Sequence, residues 1–594
     1  MGKLNIFLSC FYILLFILKE IEKLFSDFTR IFTVYFRYYN IYKLIHFQIN
    51  KNVNPLNNKF FINFINQNKK LWNKQNNKKK KKNTNNKVFL VTSFVHHHPA
   101  YPYLNSIIGK YVEEYYKPKL IGFCDNYDIP SEIIMRSFGI QKFYYLYDRN
   151  FFIKFFYFLI ALLKIKKIKN INKFFKLRYN GTDIGKIVYD DIIRRSGNPT
   201  FNQISFKMIY HLSEALNKSD QYKKILNKIN ISSIVQSETQ FIPSAIIFQQ
   251  TLKNKKKVYC RAGPGKQMSI RTYASFSERY TTQFQQPKNL FNLIYKQSRK
   301  ITTKLGYGIV KRRYEGVRNE KVIAYTQAHE NKKDYSRKKL CQFFNWDIDK
   351  PIAVIFSHSL IDGNYKSGSR IFQDNLTWLR ETLSKIKDID KFNWIIKPHP
   401  LDGYYQFAKT NTETEYEKII QGKNHVKMAP KNISSISLTK VAKVALTSHG
   451  SVCFEYVCMG IPVITAGRSA GSDLNINYRA KNKEEYFYYL NNINKIAKPS
   501  KIQVDKARTY AYIDDVVIKN HNGLVPDYDT TGDINESKFF QDCTKLINKY
   551  SHSLDEMKKR VFHQFETNNS QTVNLKILNK VLKIKKNKYD SKKI

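Results

Sequence analysis

Two apolar runs in the second half of this chain stop abruptly at polar groups, and that arrangement restricts the fold more than any other feature. The first is Trp394-Ile395-Ile396, followed by Lys397-Pro398-His399-Pro400. The second is Val441 to Thr447, followed by Ser448-His449-Gly450-Ser451 and then by Val452 to Met459, Gly460-Ile461-Pro462 and Val463-Ile464. Short runs of this kind predict buried strands of a parallel sheet, and the carboxyl edge of such a sheet is where α/β proteins hold nucleotides.

The second run predicts a strand, a helix from Val452 to Met459 and another strand. Ser448 and Ser451 supply hydroxyls suited to capping that helix, Gly460 suits the left-handed C-terminal position, and Pro462 prevents continuation. The exposed amides of the helix start form an anion site. Glu455 lies one turn beyond Ser451, where a carboxylate accepts from ribose hydroxyls more readily than it faces phosphate. The competing reading makes the serines plain caps and Glu455 a solvated first-turn acid. In the first run Pro398 and Pro400 restrict the backbone around His399. Lys397 and His399 are therefore expected to neutralise a diphosphate or protonate a leaving phosphate oxygen, against the alternative of an exposed structural histidine.

Lys-Pro-His-Pro followed by Ser-His-Gly-Ser-Val-x-Phe-Glu-Tyr-x-x-x-Gly-Ile-Pro-Val-Ile resembles the C-terminal half of bacterial capsule polysaccharide biosynthesis transferases. These are GT-B glycosyltransferases, distantly similar to Kdo transferases and bacterial sialyltransferases with His-Pro and Ser motifs. The resemblance implies that His399, Pro400, Ser448, His449, Gly450 and Ser451 contact the donor nucleotide and its phosphate, and that Glu455 is the acid following the Ser motif. Ala353 to Gly363 extends the match, with Ser357-His358 at the first turn of the same domain. It is good from residue 320 to 480, weaker from 87 to 320, and absent from the first 85.

A chain of 594 residues suits two domains plus an extension. Lys and Arg number 101 against 47 Asp and Glu, a net +54, which raises nucleic acid or an anionic membrane as partner. No zinc-finger spacing, RNP pattern or heptad-linked basic region accompanies the charge, so the membrane surface is preferred and no nucleic acid is expected. Seven scattered cysteines give neither a disulfide framework nor a metal spacing and suit reduced cytosolic thiols.

Residues 1–66 read as an apolar and basic extension. Leu4 to Leu18 is shorter than the roughly 20 residues that span a bilayer, and no signal cleavage site or myristoylation signal is expected. Membrane association and packing on the body are both open. The Asn/Lys-rich stretch 67–87 predicts a disordered linker, 88–318 an acceptor-binding Rossmann-like domain, 319–576 a nucleotide-sugar-binding one, and 577–594 a basic tail. Val88 to Phe94, Leu120 to Phe123, Ser232 to Gln236 and Val258 to Cys260 predict strands of the first sheet. Val322 to Ala328 is expected to open the second domain, and Thr282 to Arg318 to connect the two.

Candidate cleft residues in the first domain are His97 and His98 after the first strand, Glu238, and Arg261 with Gly263 in a glycine-bearing turn. Phe151 to Leu163, followed by basic residues 164–178, is either a core helix or one lying on anionic lipid. Tyr179 to Arg195 resembles a segment of the N-terminal half of some capsule transferases and offers Asp183, Asp190 and Asp191 as general bases, or as a cap and solvated acids. Asp347-Ile348-Asp349 and Asp388-Ile389-Asp390 precede their strands and so lie at the edge away from the site. The expectation is a metal-independent GT-B glycosyltransferase of capsular or other surface polysaccharide assembly, without cofactor, using a nucleotide-sugar donor and a glycan or lipid-linked acceptor. Its expected location is cytoplasmic, peripheral at the inner face of the cytoplasmic membrane. The rivals are a teichoic-acid-type polyol-phosphate transferase and a non-catalytic membrane-associated scaffold.

Overall fold

The computed structural model describes residues 2–39, 56–76, 88–93, 98–125, 128–146, 150–168, 170–263, 266–282, 285–316, 332–365, 368, 370–403, 405, 407–528 and 534–582. β1 (Val88–Ser93), β2 (Lys119–Asp125), β3 (Phe143–Leu146), β4 (Ile231–Gln236), β5 (Lys257–Ala262) and β6 (Ser269–Tyr273) form one sheet in the order β3-β2-β1-β4-β5-β6. All pairs are parallel except β5 with β6. β7 (Ile352–Phe356), β8 (Asn393–Lys397), β9 (Val426–Met428), β10 (Ala442–Thr447), β11 (Val463–Thr465) and β12 (Tyr478–Arg479) form a second, fully parallel sheet in the order β12-β11-β10-β7-β8-β9. Counted within its own lobe, each sheet runs 3-2-1-4-5-6, the doubly wound order, with switch points at β1/β4 and β7/β10. Register aligns Lys397 and Thr447 with Phe356, so the three central strands of the second sheet end level and release their next residues along one line.

The helices used below are α1 (Gly2–Tyr38), α2 (Lys59–Asn76), α3 (Phe151–Lys166), α4 (Ile184–Ser196), α5 (Phe206–Lys228), α6 (Lys288–Tyr314), α7 (Val452–Cys458), α8 (Lys501–Tyr512), α9 (Glu536–Lys549), α10 (Glu556–Glu566) and α11 (Leu575–Leu582). Chain order and packing part company at the end. Leu524, Val525, Tyr528, α9 and α10 cross back and complete the first lobe's core with Tyr103, Tyr111 and Phe138, whereas Leu578 and Val581 of α11 join the second lobe's core. A boundary at 318/319 thus separates the sheets but not the helices covering them.

One sequence expectation is corrected. Residues 67–76 of the expected disordered linker are helical, because Phe61, Phe64, Ile65, Asn68 and Trp72 recur at helical spacing and are all buried. The segment Thr282 to Arg318, expected to connect the two domains, contains the 27-residue helix α6, packed along α8 and kinked at Ser298. The expected strand at Val322 to Ala328 lies outside the described residues. Among the described residues no helix is long and apolar enough to cross a membrane.

Candidate functional site

Beyond the level ends of β7, β8 and β10, three histidines face one another. The His358 and His449 rings stack at 3.8 Å and 2°, and His358 and His399 lie 5.8 Å apart at 15°. Gly450 packs closely here: an added Cβ would stand 3.1 Å from Thr447 Oγ1 and 3.3 Å from His358 Nε2, so one of them would have to give way. Ser357 positions the third ring without belonging to the stack. Its Oγ accepts from the His399 backbone N–H at 3.0 Å and from Thr412 Oγ1 at 2.9 Å. The Leu401 N–H donates to His399 Nδ1 at 3.1 Å, so neutral His399 carries its proton on Nε2.

Arg370 closes the group from the loop that follows β7. Its Nη2 lies 2.9 and 2.8 Å from the two ring nitrogens of His449, and its Nη1 donates to Asn375 Oδ1 at 2.7 Å and Ser448 Oγ at 3.3 Å. Burial, reinforced by nearby His399 and Arg370, holds His358 far below the usual imidazole range. Burial, reinforced by Arg370 and both other histidines, does the same to His449. Burial also brings Arg370 down to about 10, with Asp190 opposing, so the guanidinium remains charged at neutral pH. Among the described residues, His358 Nε2 and Arg370 Nε are both buried without a hydrogen-bond partner, and such atoms are costly unless a ligand or water engages them.

The remaining second-lobe candidates separate. Lys397 ends β8, and burial together with Lys332 lowers it to about 8. Ser448 is buried beside His449, whereas Ser451 and Pro400 are exposed. Ser451 begins α7 in helical conformation and makes no side-chain capping bond, contrary to the capping expectation. At seven residues α7 contributes little dipole, so positive charge at this edge comes from side chains. Glu455 is corrected as well. It is buried and turned toward α6, where Arg313 donates to its Oε1 at 3.2 Å and the Tyr314 hydroxyl to its Oε2 at 3.3 Å, leaving it engaged within the protein instead of presented to a ribose.

In the first lobe, Asp190 is the carboxylate that reaches the boundary. Its two oxygens accept from the backbone N–H groups of Asn364 and Tyr365, each at 2.9 Å, in the second-lobe loop leading to Arg370. Burial lifts it to about 7 against those two hydrogen bonds and Arg370. It lines a small interlobe crevice with Lys186, Gln240, Tyr280 and Tyr365. Asp183 differs. Burial works to raise it, but Tyr280 and Arg279, with Arg178, outweigh that and hold it below the usual carboxylate range, which makes it a weak base. Asp191 is internal, accepting from Ile242 N–H at 3.0 Å and paired with His211 at 2.8 Å.

The other first-lobe candidates converge around Tyr101. Glu238, Arg261, Tyr528 and, from the second lobe, Tyr405 act on its hydroxyl electrostatically. His98 packs edge-on to Tyr101 at 5.0 Å, and burial together with Arg261 lowers it to about 4. Glu238 Oε1 accepts from Thr239 and Gln240 N–H, each at 2.7 Å. Arg261 donates to the Gln267 carbonyl at 3.1 Å, and Gly263 holds φ +113° at that turn. His97 lies outside the described residues. Arg370 and Tyr405 escaped the sequence reading. Both occupy irregular loops, and the available signal was their place downstream of a strand-end motif.

No family model matches the chain, and no curated protein matches it. Among solved structures it is similar to the beta Kdo 2,4 transferase KpsC of Thermosulfurimonas dismutans, with TM-score 0.31 and 10% identity over 54% of this chain and 88% of that one. It is also similar to the S. aureus MnaA–UDP co-structure, with TM-score 0.25 and 8% identity over 72% and 92%. A third is the Neisseria meningitidis UDP-GlcNAc 2-epimerase bound to UDP-GlcNAc, with TM-score 0.24 and 10% identity over 78% and 98%. The two doubly wound lobes are defined by the chain's own strand order.

Proposed function

We propose that this chain is a glycosyltransferase of surface polysaccharide assembly, moving a sugar from a nucleotide donor held by the second lobe to an acceptor held by the first, without a metal. The observation that carries the reading is Arg370 clasping His449 and Ser448 at the β7/β10 switch point, with its Nε and His358 Nε2 both buried and without a partner among the described residues. A diphosphate offers acceptor oxygens to Arg370, Lys397 and His399 Nε2, which meet developing charge on the leaving group. Asp190, raised toward neutrality at the lobe boundary, suits removal of the acceptor hydroxyl proton as the anomeric C–O bond forms. His98, Glu238 and Arg261, grouped around Tyr101 in the first lobe, are the side chains proposed to hydrogen-bond a glycan acceptor. The capsule assignment rests on the motif resemblance.

The test follows thermal stability of the full chain with CMP, UDP, GDP and CDP-glycerol, with and without EDTA. The expected result is stabilisation by one sugar-carrying nucleotide class, unaffected by EDTA and abolished by Arg370→Ala and His399→Ala. Selective response to CDP-glycerol would replace sugar transfer by polyol-phosphate transfer, and no response to any nucleotide would overturn the proposal.

A further inference from the structure

We infer that α1 and α3 together form an in-plane docking surface for an anionic lipid bilayer. Phe16 is buried, stacked on Phe158 of α3 at 4.5 Å. Glu20, one turn on, pairs with Lys154 at 2.8 Å and accepts from Tyr210 of α5 at 2.7 Å. At the far end the Tyr38 hydroxyl donates to Glu536 at 2.6 Å. The helix is thus fixed to the body along one face at two separated points.

The opposite face carries Leu14, Leu18, Ile21, Phe25, Phe28 and Phe32, exposed by 49–68%. Their spacing of three and four residues places them on one stripe, which with Phe11 and Phe36 runs about 38 Å at 1.5 Å per residue. Beside it α3 exposes Phe152 at 78%, Phe156 at 59% and Leu163 at 60%. A soluble surface seldom presents so long a contiguous apolar strip without a partner.

Charge selects the partner. Residues 150–182, which include α3, contain eight Lys and Arg and no Asp or Glu. A second copy of this chain would bring two such lysine runs together and add to the repulsion of a +54 molecule, whereas anionic headgroups neutralise both. Since the helix cannot span, it lies flat with its stripe among the acyl chains and its flanking lysines at the headgroups. Phe16 shares one core with Ile187 and Val188 of α4 and with Ile361, so the bilayer lies one helix layer from the helix bearing Asp190.

The test is flotation of the full chain with vesicles of phosphatidylcholine and phosphatidylglycerol, and with phosphatidylcholine alone. The chain is expected to float with the mixed vesicles, less so in high salt. Phe25→Glu with Phe28→Glu, and separately Phe152→Glu with Phe156→Glu, should each cut the bound fraction at least tenfold at an unchanged melting temperature. Phe343→Glu, exposed by 61% on the second lobe, should float like the native chain. A native chain left at the bottom of the gradient, or both paired variants floating normally, would refute the inference. So would light scattering that finds a lipid-free native dimer and monomeric variants. No nucleotide enters the assay, so the outcome is independent of the transferase reading.

Discussion

Arg370 and Asp190 are the residues on which the chemistry depends, and each makes a separable prediction. Arg370 is a charged fork at the switch point whose Nε has no partner among the described residues. Removing it as Arg370→Ala deletes charge-assisted bonds to phosphate and should weaken nucleotide binding about a hundredfold, on the order of 3 kcal/mol, read by isothermal titration. Arg370→Lys restores charge but not the fork and should remain at least tenfold weak; a lysine variant binding like the native chain would mean that only net charge matters. Asp190 is lifted to about 7 by burial, so kcat should rise with pH through about 7 and then level. Asp190→Asn should abolish that limb and lower kcat by roughly 10²- to 10⁴-fold. The stability sign follows from the same shift. Below 3.8 the group is neutral folded and unfolded; as pH rises toward about 7 the unfolded chain ionises first, so native stability falls across that window and Asp190→Asn should flatten the decline. Of this site the histidines and Ser448 were legible, because each follows a strand whose apolar run announces its end. Arg370 was not, because a loop residue owes its place to tertiary contacts with Asn375 and His449 that no spacing encodes.

At the scale of elements, α6 shows why a buried helix reads as unpatterned sequence. Its face toward α8 runs through Thr302 and Gly306, small and partly polar, because α8 approaches to backbone distance: Thr302 Oγ1 meets Thr509 Oγ1 at 3.0 Å, and a Cβ on Gly306 would stand 1.9 Å from the Arg508 carbonyl oxygen, while Ser298 at the kink donates to the Val581 carbonyl of α11. Hydrophobic periodicity registers large apolar side chains, and here closeness leaves no room for them. Gly306→Ala should therefore destabilise by about 1–3 kcal/mol despite alanine's better helix propensity. Gly308, two residues on with nothing within 4 Å, should gain up to about 1 kcal/mol as Gly308→Ala. Denaturant unfolding of both variants checks the pair, and equal signs would contradict the packing. α2 was hidden differently: Phe61, Phe64, Ile65 and Trp72 trace its buried stripe, but from Asn66 to Asn76 every residue except Leu71 and Trp72 is Asn, Gln or Lys, so composition hid the second half of the helix.

On the scale of the whole molecule, the first lobe's core is assembled from three stretches of chain. Phe61 packs on Phe540 of α9 at 4.6 Å, Trp72 on Phe138 at 5.4 Å, and the Tyr111 hydroxyl donates to Asp555 at 2.7 Å. Asn68 donates to Ser137 Oγ at 2.8 Å and accepts from Trp72 Nε1 at 3.1 Å, so the indole is both enclosed and hydrogen-bonded. α2 is thus a structural member of the lobe, though it lies before the first strand. Trp72→Ala should cost about 3–5 kcal/mol through the cavity it leaves. Deleting residues 1–86 removes at least the seven large buried side chains Phe16, Tyr38, Leu56, Phe61, Phe64, Ile65 and Trp72, each contributing about 1.5–3 kcal/mol, which together match or exceed a typical domain's margin of about 5–15 kcal/mol. Among the described residues the second lobe's two cores take nothing from residues 1–86, and only Phe16 shares a first-lobe core with its Ile361, so the damage should fall mainly on the first lobe. Calorimetry of the deleted chain should show the single transition of the native protein split in two, the lower belonging to the first lobe. The upper should still shift upward with the nucleotide that stabilises the full chain. If the deleted chain melted as one unit at the native temperature, α2 would be dispensable, and the three-part core would not be what holds the acceptor lobe together.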